Sequence, residues 1–238
     1  MINSFAIIAF AALIHASFQL SVSMLTLMSG HAIGSKSSHA KLLRLTNAFS
    51  LGVAIMTLLS LSFIAFTLQQ YFSGGVPAVA WASACGLLIG LGVAVWVFYY
   101  RRDSGTTLWI PRGMARYLSD RTKHTKQSAE AFGLGMSSVV GELIFIFAPM
   151  AVSALALLQL DPGMQIVGIA LYTFISLLSL LIVNALIGSG HKLSHIQKWR
   201  ENNKRFLQFA AGSGLLILGF YLYVDKVVAA SALSGGVL

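Results

Sequence analysis

Six long apolar runs, near residues 2–27, 45–68, 77–100, 131–157, 164–187 and 206–224, take up most of this 238-residue chain. Each is about as long as the roughly 20 residues that a helix needs to cross a bilayer. Segments of that length and apolarity read as spanning helices. The expected fold is therefore all-α: a polytopic membrane protein of six transmembrane helices. With 57% apolar and only 10% charged residues, the chain has little left over for a soluble catalytic domain, so any chemistry has to sit within the helices or in short connectors.

The connectors alternate in charge. Residues 28–44 carry Lys36, Lys41 and Arg44, 101–130 carry seven Lys and Arg, and 188–205 carry five, so 15 of the 16 basic residues fall in the three odd-numbered connectors. The two even-numbered ones, built on Ser73-Gly74-Gly75-Val76-Pro77 and Asp161-Pro162-Gly163, have no basic residue and use ordinary turn residues. By the positive-inside rule the basic connectors are cytoplasmic and both termini lie outside. The net charge of +9 is thus a topology signal, and no nucleic-acid partner is expected. The first run has no preceding Lys or Arg and is long for a leader, so it reads as a retained helix.

An internal repeat divides the chain. Gly86-Leu87-Leu88-Ile89 in the third run returns as Gly214-Leu215-Leu216-Ile217 in the sixth, each followed by glycines and an aromatic end. Ala9-Phe10-Ala11 in the first run is echoed by Ala131-Phe132-Gly133 in the fourth. Three crossings per unit invert the second copy, which gives a 3+3 inverted-topology repeat. The expected organisation is a first three-helix repeat over 1–100, a basic cytoplasmic linker over 101–130 and a second repeat over 131–238. Within the linker, Met114, Tyr117 and Leu118 oppose Arg116, Asp120 and Lys123, the pattern of an amphipathic helix on the membrane surface.

Ala9-Phe10-Ala11-Ala12-Leu13 leading to Leu25-Thr26-Leu27-Met28-Ser29-Gly30, then Asn47 to Val53, and later Ala131 to Gly135 with Pro149, carry a resemblance. They are similar to the two halves of the cytochrome c biogenesis protein CcdA and of the DsbD membrane domain, within the lysine-exporter (LysE) superfamily. That resemblance implies a bacterial plasma (inner) membrane location and a scaffold shared with metal and amino-acid exporters. It also implies a cysteine in the first helix of each half. Here those regions read Phe18 to Ser21 and Gly141 to Leu143, and the chain's one cysteine is Cys85. The thiol relay does not carry over.

Ionisable residues inside membrane helices are costly and point to function. Two fall deep in the runs: His15, 13 residues into the first, and Glu142, 11 residues into the fourth. At 1.5 Å per residue both lie about 17–20 Å in, near the midplane. Gln19 and Ser23 share a helical face with His15, and Ser138 shares one with Glu142. Facing each other across the repeat, the two stripes would form a midplane substrate or ion site, with the serines and Gln19 alternatively serving as interhelical hydrogen-bond partners. Pro149 further weakens the fourth helix by removing one backbone bond. Ser29-Gly30-His31 and Ser189-Gly190-His191 close the first and fifth runs. His31 and His191 are candidates for a gate at the cytoplasmic mouth, or else dipole-favoured neighbours of helix-capping glycines.

The chain has no nucleotide-binding motif and no clustered acid, base and metal-ligand set, so neither an enzyme nor a cofactor is expected, and a bis-histidine haem lacks its second intramembrane histidine. The expected function is a small secondary transporter or exporter of a small solute or cation, coupled to protons or another ion through Glu142. The alternative is a non-transporting membrane subunit or assembly factor, held to a membrane protein partner, on a scaffold that has lost thiol chemistry. A redox conduit through Cys85 would need partner cysteines.

Overall fold

The computed structural model describes residues 1–18, 22–25, 39–72, 74–99, 117, 120–122, 125, 127–190, 195, 198–199 and 202–234, and no strand occurs among them. Helix α1 (Ile2–Ser17) is followed by α2 (His39–Tyr71) and by α3 (Ala78–Ala94), which runs on into a π-helical turn over Val95–Tyr99. Then come α4 (Ser128–Leu157), α5 (Pro162–Ser176), α6 (Leu178–Gly188) and α7 (Lys204–Leu222), the last continued by a second π-helical turn over Tyr223–Val228 and a short α8 (Ala229–Ser234).

Helix ends follow local chemistry. The side chain of Glu130 accepts a bond from the Gln127 backbone N–H, and the Gln127 side chain accepts one from the Glu130 backbone N–H, a reciprocal cap. Pro162 opens α5, where its missing N–H costs nothing. Gly190 ends α6 at φ +81°, a left-handed turn that suits glycine, and its N–H donates to the Ile187 carbonyl. This is the capping role foreseen for Gly190; His191 and the whole Ser29-Gly30-His31 stretch lie outside the described residues.

Four helices are long and apolar enough to cross a membrane, over Ala40–Tyr71, Ala78–Phe98, Ser128–Leu157 and Arg205–Val228. The pair α5 and α6 adds a fifth crossing if it counts as one span, bent by 51°. Large apolar side chains such as Phe63, Phe66, Ile166 and Phe174 face outward, consistent with a membrane protein. Two expected runs differ from continuous helices. The first, read as 2–27, stops at Phe18, whose ψ of 130° is extended, and resumes helical geometry at 22–25. The fifth, read as 164–187, bends at Leu177. Of the linker, Tyr117 and 120–122 are helical, with the Arg121 guanidinium 5.6 Å from the Tyr117 ring centre; 101–116 lie outside the described residues.

Helix α4 is the hub. Nearly three-quarters of its most apolar stretch is buried, against a third or less for the other three. It packs on α1, α2, α3 and α5, while α1 also packs on α5 and α7, and α3 on α7. Small residues make this possible, since Gly135, Ser138, Gly141, Ala148, Ser153, Ala154 and Ala156 let neighbouring backbones approach. The closest approach is at α2. A methyl group on Gly52 would fall on the Phe132 carbonyl oxygen, and one on Gly135 would fall on that of Phe49.

Two opposed glycines leave no flexible side chain to yield, so Gly52→Ala or Gly135→Ala must separate the helices, at a cost of about 1–3 kcal/mol each. Thermal unfolding in detergent checks this. Each variant should melt several degrees lower, and the double variant should show less than the sum of the two losses. Gly133→Ala, with open space around the added carbon, is the matched control expected to melt like the parent.

Candidate functional site

The break at Phe18 needs partners for the last carbonyls of α1. Ile14 receives the Ser17 hydroxyl at 2.5 Å, His15 receives the Phe18 N–H at 3.0 Å, and Ala16 receives the Ser179 hydroxyl of α6 at 2.5 Å. The Phe18 ring then stacks on Phe145 of α4, centroids 5.3 Å apart. The bend at Leu177 is built in a similar way, with the Ser176 hydroxyl turned back onto the Thr173 carbonyl at 2.9 Å. Serine hydroxyls thus satisfy carbonyls at both interruptions, and Ser179 ties one interruption to the other.

His15 sits in the last turn of α1, where the helix dipole favours an imidazole. Its Nδ1 shares a 3.0 Å hydrogen bond with the hydroxyl of Tyr172 on α5, a fully buried side chain. Nε2 lies 4.0 Å from Oε2 of Glu142, at the midpoint of α4. That separation is beyond a direct hydrogen bond, and both side chains are buried. Phenol, imidazole and carboxylate therefore stand in a row across α5, α1 and α4.

A small cavity adjoins the row, with room for about one water-sized particle. Five of its lining side chains are polar: His15, Glu142, Thr57 of α2, Ser176 and Ser179. Phe18, Val22, Val53, Leu177 and Leu180 close the rest. The hydroxyl of Thr57 is fully buried and has no hydrogen-bond partner. Within a helix a threonine normally bonds its own backbone one turn back, as Thr67 and Thr173 do.

Of the residues singled out in the sequence, His15 and Glu142 come together. Ser138 is buried but bonds the Gly135 carbonyl of its own helix at 2.7 Å, one turn from the α2 crossing. Ser23 is half-buried in the helical stretch 22–25, and its neighbour Val22 is the residue of that stretch that lines the cavity. Gln19, His31 and His191 lie outside the described residues. Thr57, Tyr172, Ser176 and Ser179 complete the site. Thr57 and Ser50 carried one faint signal, two hydroxyls seven residues apart on one face of α2.

Removing the phenol hydroxyl isolates His15 Nδ1 in a buried setting, so Tyr172→Phe should cost about 1–3 kcal/mol. Nitrogen-15 NMR of histidine-labelled protein should show a single neutral tautomer for His15 in the parent and a changed tautomer ratio in the variant. An unchanged His15 spectrum would mean that Tyr172 does not orient the ring.

Against known proteins, no family model, no curated protein and no solved structure matches the chain.

Proposed function

We propose that the chain is a small secondary transporter or exporter of LysE-like architecture, with Glu142 and His15 forming its proton- or cation-coupling site. The observation that carries this reading is the meeting of those two side chains, 4.0 Å apart, at a cavity between two interrupted helices. Secondary transporters place substrate and ion sites at such interruptions near the midplane, where backbone carbonyls and helix ends are available to an ion. The partners in this reading are a small solute or cation and the surrounding bilayer.

The proposal includes six spans, with α1 and its continuation as the first and α5 with α6 as the fifth, arranged as a 3+3 inverted repeat. Helix neighbours support the repeat. Exchanging α1 with α4, α2 with the α5 and α6 pair, and α3 with α7 turns the α2–α4 contact into α5–α1, and the α1–α7 contact into α4–α3, all of which occur. The π-helical turns begin at Val95 and Tyr223, 128 residues apart, the same offset as the Gly-Leu-Leu-Ile repeats. Side chains support it too. A methyl on Gly92 would meet Leu216 at 2.9 Å and one on Gly219 would meet Ile89 at 2.7 Å; Gly92 and Gly219 are 127 residues apart, as are Ile89 and Leu216. His15 and Glu142, 127 apart, stand at matching depths of the two copies.

Charge supports the orientation: with 15 of 16 basic residues in three connectors, both termini lie outside a bacterial inner membrane in this reading. The test uses proteoliposomes with an internal pH dye, challenged with small cationic solutes including basic amino acids and divalent metals. Wild-type protein should couple the flux of one such solute to movement of protons or another ion, and Glu142→Gln should abolish that coupling while its melting temperature stays near the parent's. Coupled flux that survives Glu142→Gln would overturn the assignment. Absence of flux for every solute, together with stoichiometric co-purification of a second membrane protein, would favour the non-transporting subunit instead.

A further inference from the structure

The cavity beside His15 and Glu142 has a chemistry narrower than that of a general polar pocket. The hydroxyl protons of Ser176 and Ser179 are committed to the Thr173 and Ala16 carbonyls. A hydroxyl whose proton is engaged has only lone pairs left to offer. Thr57 adds a third hydroxyl oxygen, buried and unpartnered, and Glu142 adds a carboxylate. The C-terminal end of α1, at Phe18, also lies on the cavity wall, where its dipole favours positive charge. The end of α5 and the start of α6 meet at Leu177 and offset one another. Among the described residues, those lining the cavity thus bring three hydroxyl oxygens and one carboxylate to it.

Resting on the transport reading above, we propose that this cavity binds one alkali cation, Na⁺ or K⁺, stripped of its water, with Glu142, Thr57, Ser176 and Ser179 as oxygen ligands, and that this cation is the coupling ion. Size excludes a hydrated ion, because there is room for about one water-sized particle. Charge excludes a divalent ion. Residues 1–35, 45–100 and 127–191 contain no Lys or Arg, and Glu142 is the one acidic group lining the cavity among the described residues. One carboxylate neutralises one positive charge, and a second would remain buried and uncompensated. Donor type disfavours zinc, copper or nickel, because His15 is the one nitrogen donor lining the cavity among the described residues and such ions are held by several imidazoles or thiolates. Among the described residues no third His, Cys, Asp or Glu joins the pair.

The competing occupant is a proton on Glu142. The titratable groups around the cavity are His15 from α1 and Glu142 from α4, with Tyr172 of α5 behind His15; α2 and α6 contribute hydroxyls only.

The test is a melting series on the purified full chain in NaCl, KCl and choline chloride at equal ionic strength. Expected is a higher melting temperature in at least one alkali salt, saturating with concentration. Thr57→Val should melt like the parent in choline and need about tenfold more alkali salt for the same rise, and Thr57→Ser should restore the parent's response. Should Thr57→Val melt lower in choline, Ser176→Ala serves as the second variant, with the same weakened response expected. Equal melting of the parent in all three salts, stabilisation by acid alone, or parental salt response in both Thr57→Val and Ser176→Ala would each overturn the ion site. Alkali-specific stabilisation without solute flux would support the ion site and remove the transport reading. Glu142-dependent flux driven by protons, without alkali stabilisation, would do the reverse.

Discussion

The crossing of α2 and α4 at Gly52 and Gly135 is the contact on which the site depends. Backbone meets backbone there with no side chain between, so the helices are held closer than any larger residue would permit. Both chains run from that crossing toward the cavity. Thr57 lies five residues beyond Gly52 and Glu142 seven beyond Gly135, and both line the same small space. Were the axes further apart, the Thr57 hydroxyl and the Glu142 carboxylate could not border a cavity of one water's size. The Cβ-free crossing is thus a positioning device for polar groups as well as a packing device.

The second requirement is that two helices stop where they do. An interrupted helix leaves carbonyls without intrahelical donors, which is costly away from water. Ser17, Ser176 and Ser179 meet that requirement with hydroxyls, and the Ser179 bond to Ala16 couples the two interruptions mechanically. Neither Phe18 nor Leu177 is a helix breaker in its own right. Ser17 and Ser176 bond carbonyls of their own helices, while the Ser179 bond to Ala16 and the stacking of Phe18 on Phe145 join segments far apart in sequence.

That explains what the sequence made legible. Apolar run length identified the helices, and the rarity of ionisable residues within them picked out His15 and Glu142, because a charged group in such a run has few reasons to be there. Hydropathy could not see the interruptions, since neither coincides with a Pro, a Gly or a charged residue. Pro149 lies inside the run read as 131–157, and α4 continues through it from Ser128 to Leu157. Thr57 was hidden for a different reason. A threonine in a membrane helix is ordinarily satisfied by its own backbone, and only the surrounding helices show that this one is not. Ser138 had the better position in the sequence, beside Glu142, yet its hydroxyl turns back onto Gly135.

In the proposed repeat His15 and Glu142 lie on the equivalent helices α1 and α4, which pack on each other. The chemical outcome depends on their difference. Two carboxylates this close would repel unless one held a proton, and two imidazoles would offer no negative charge to a cation. An imidazole opposite a carboxylate gives one group that can be negative and one that can remain neutral, held at its far nitrogen by Tyr172. Among the described residues no second tyrosine lines the cavity on the Glu142 side, where Thr57 of α2 stands. Since the exchange relates α2 to α5 and α6, the phenol and the threonine hydroxyl come from corresponding spans. Tyr172 bonds the imidazole and Thr57 lines the cavity beside the carboxylate, so in the proposed repeat corresponding spans give the two sides of the site different work.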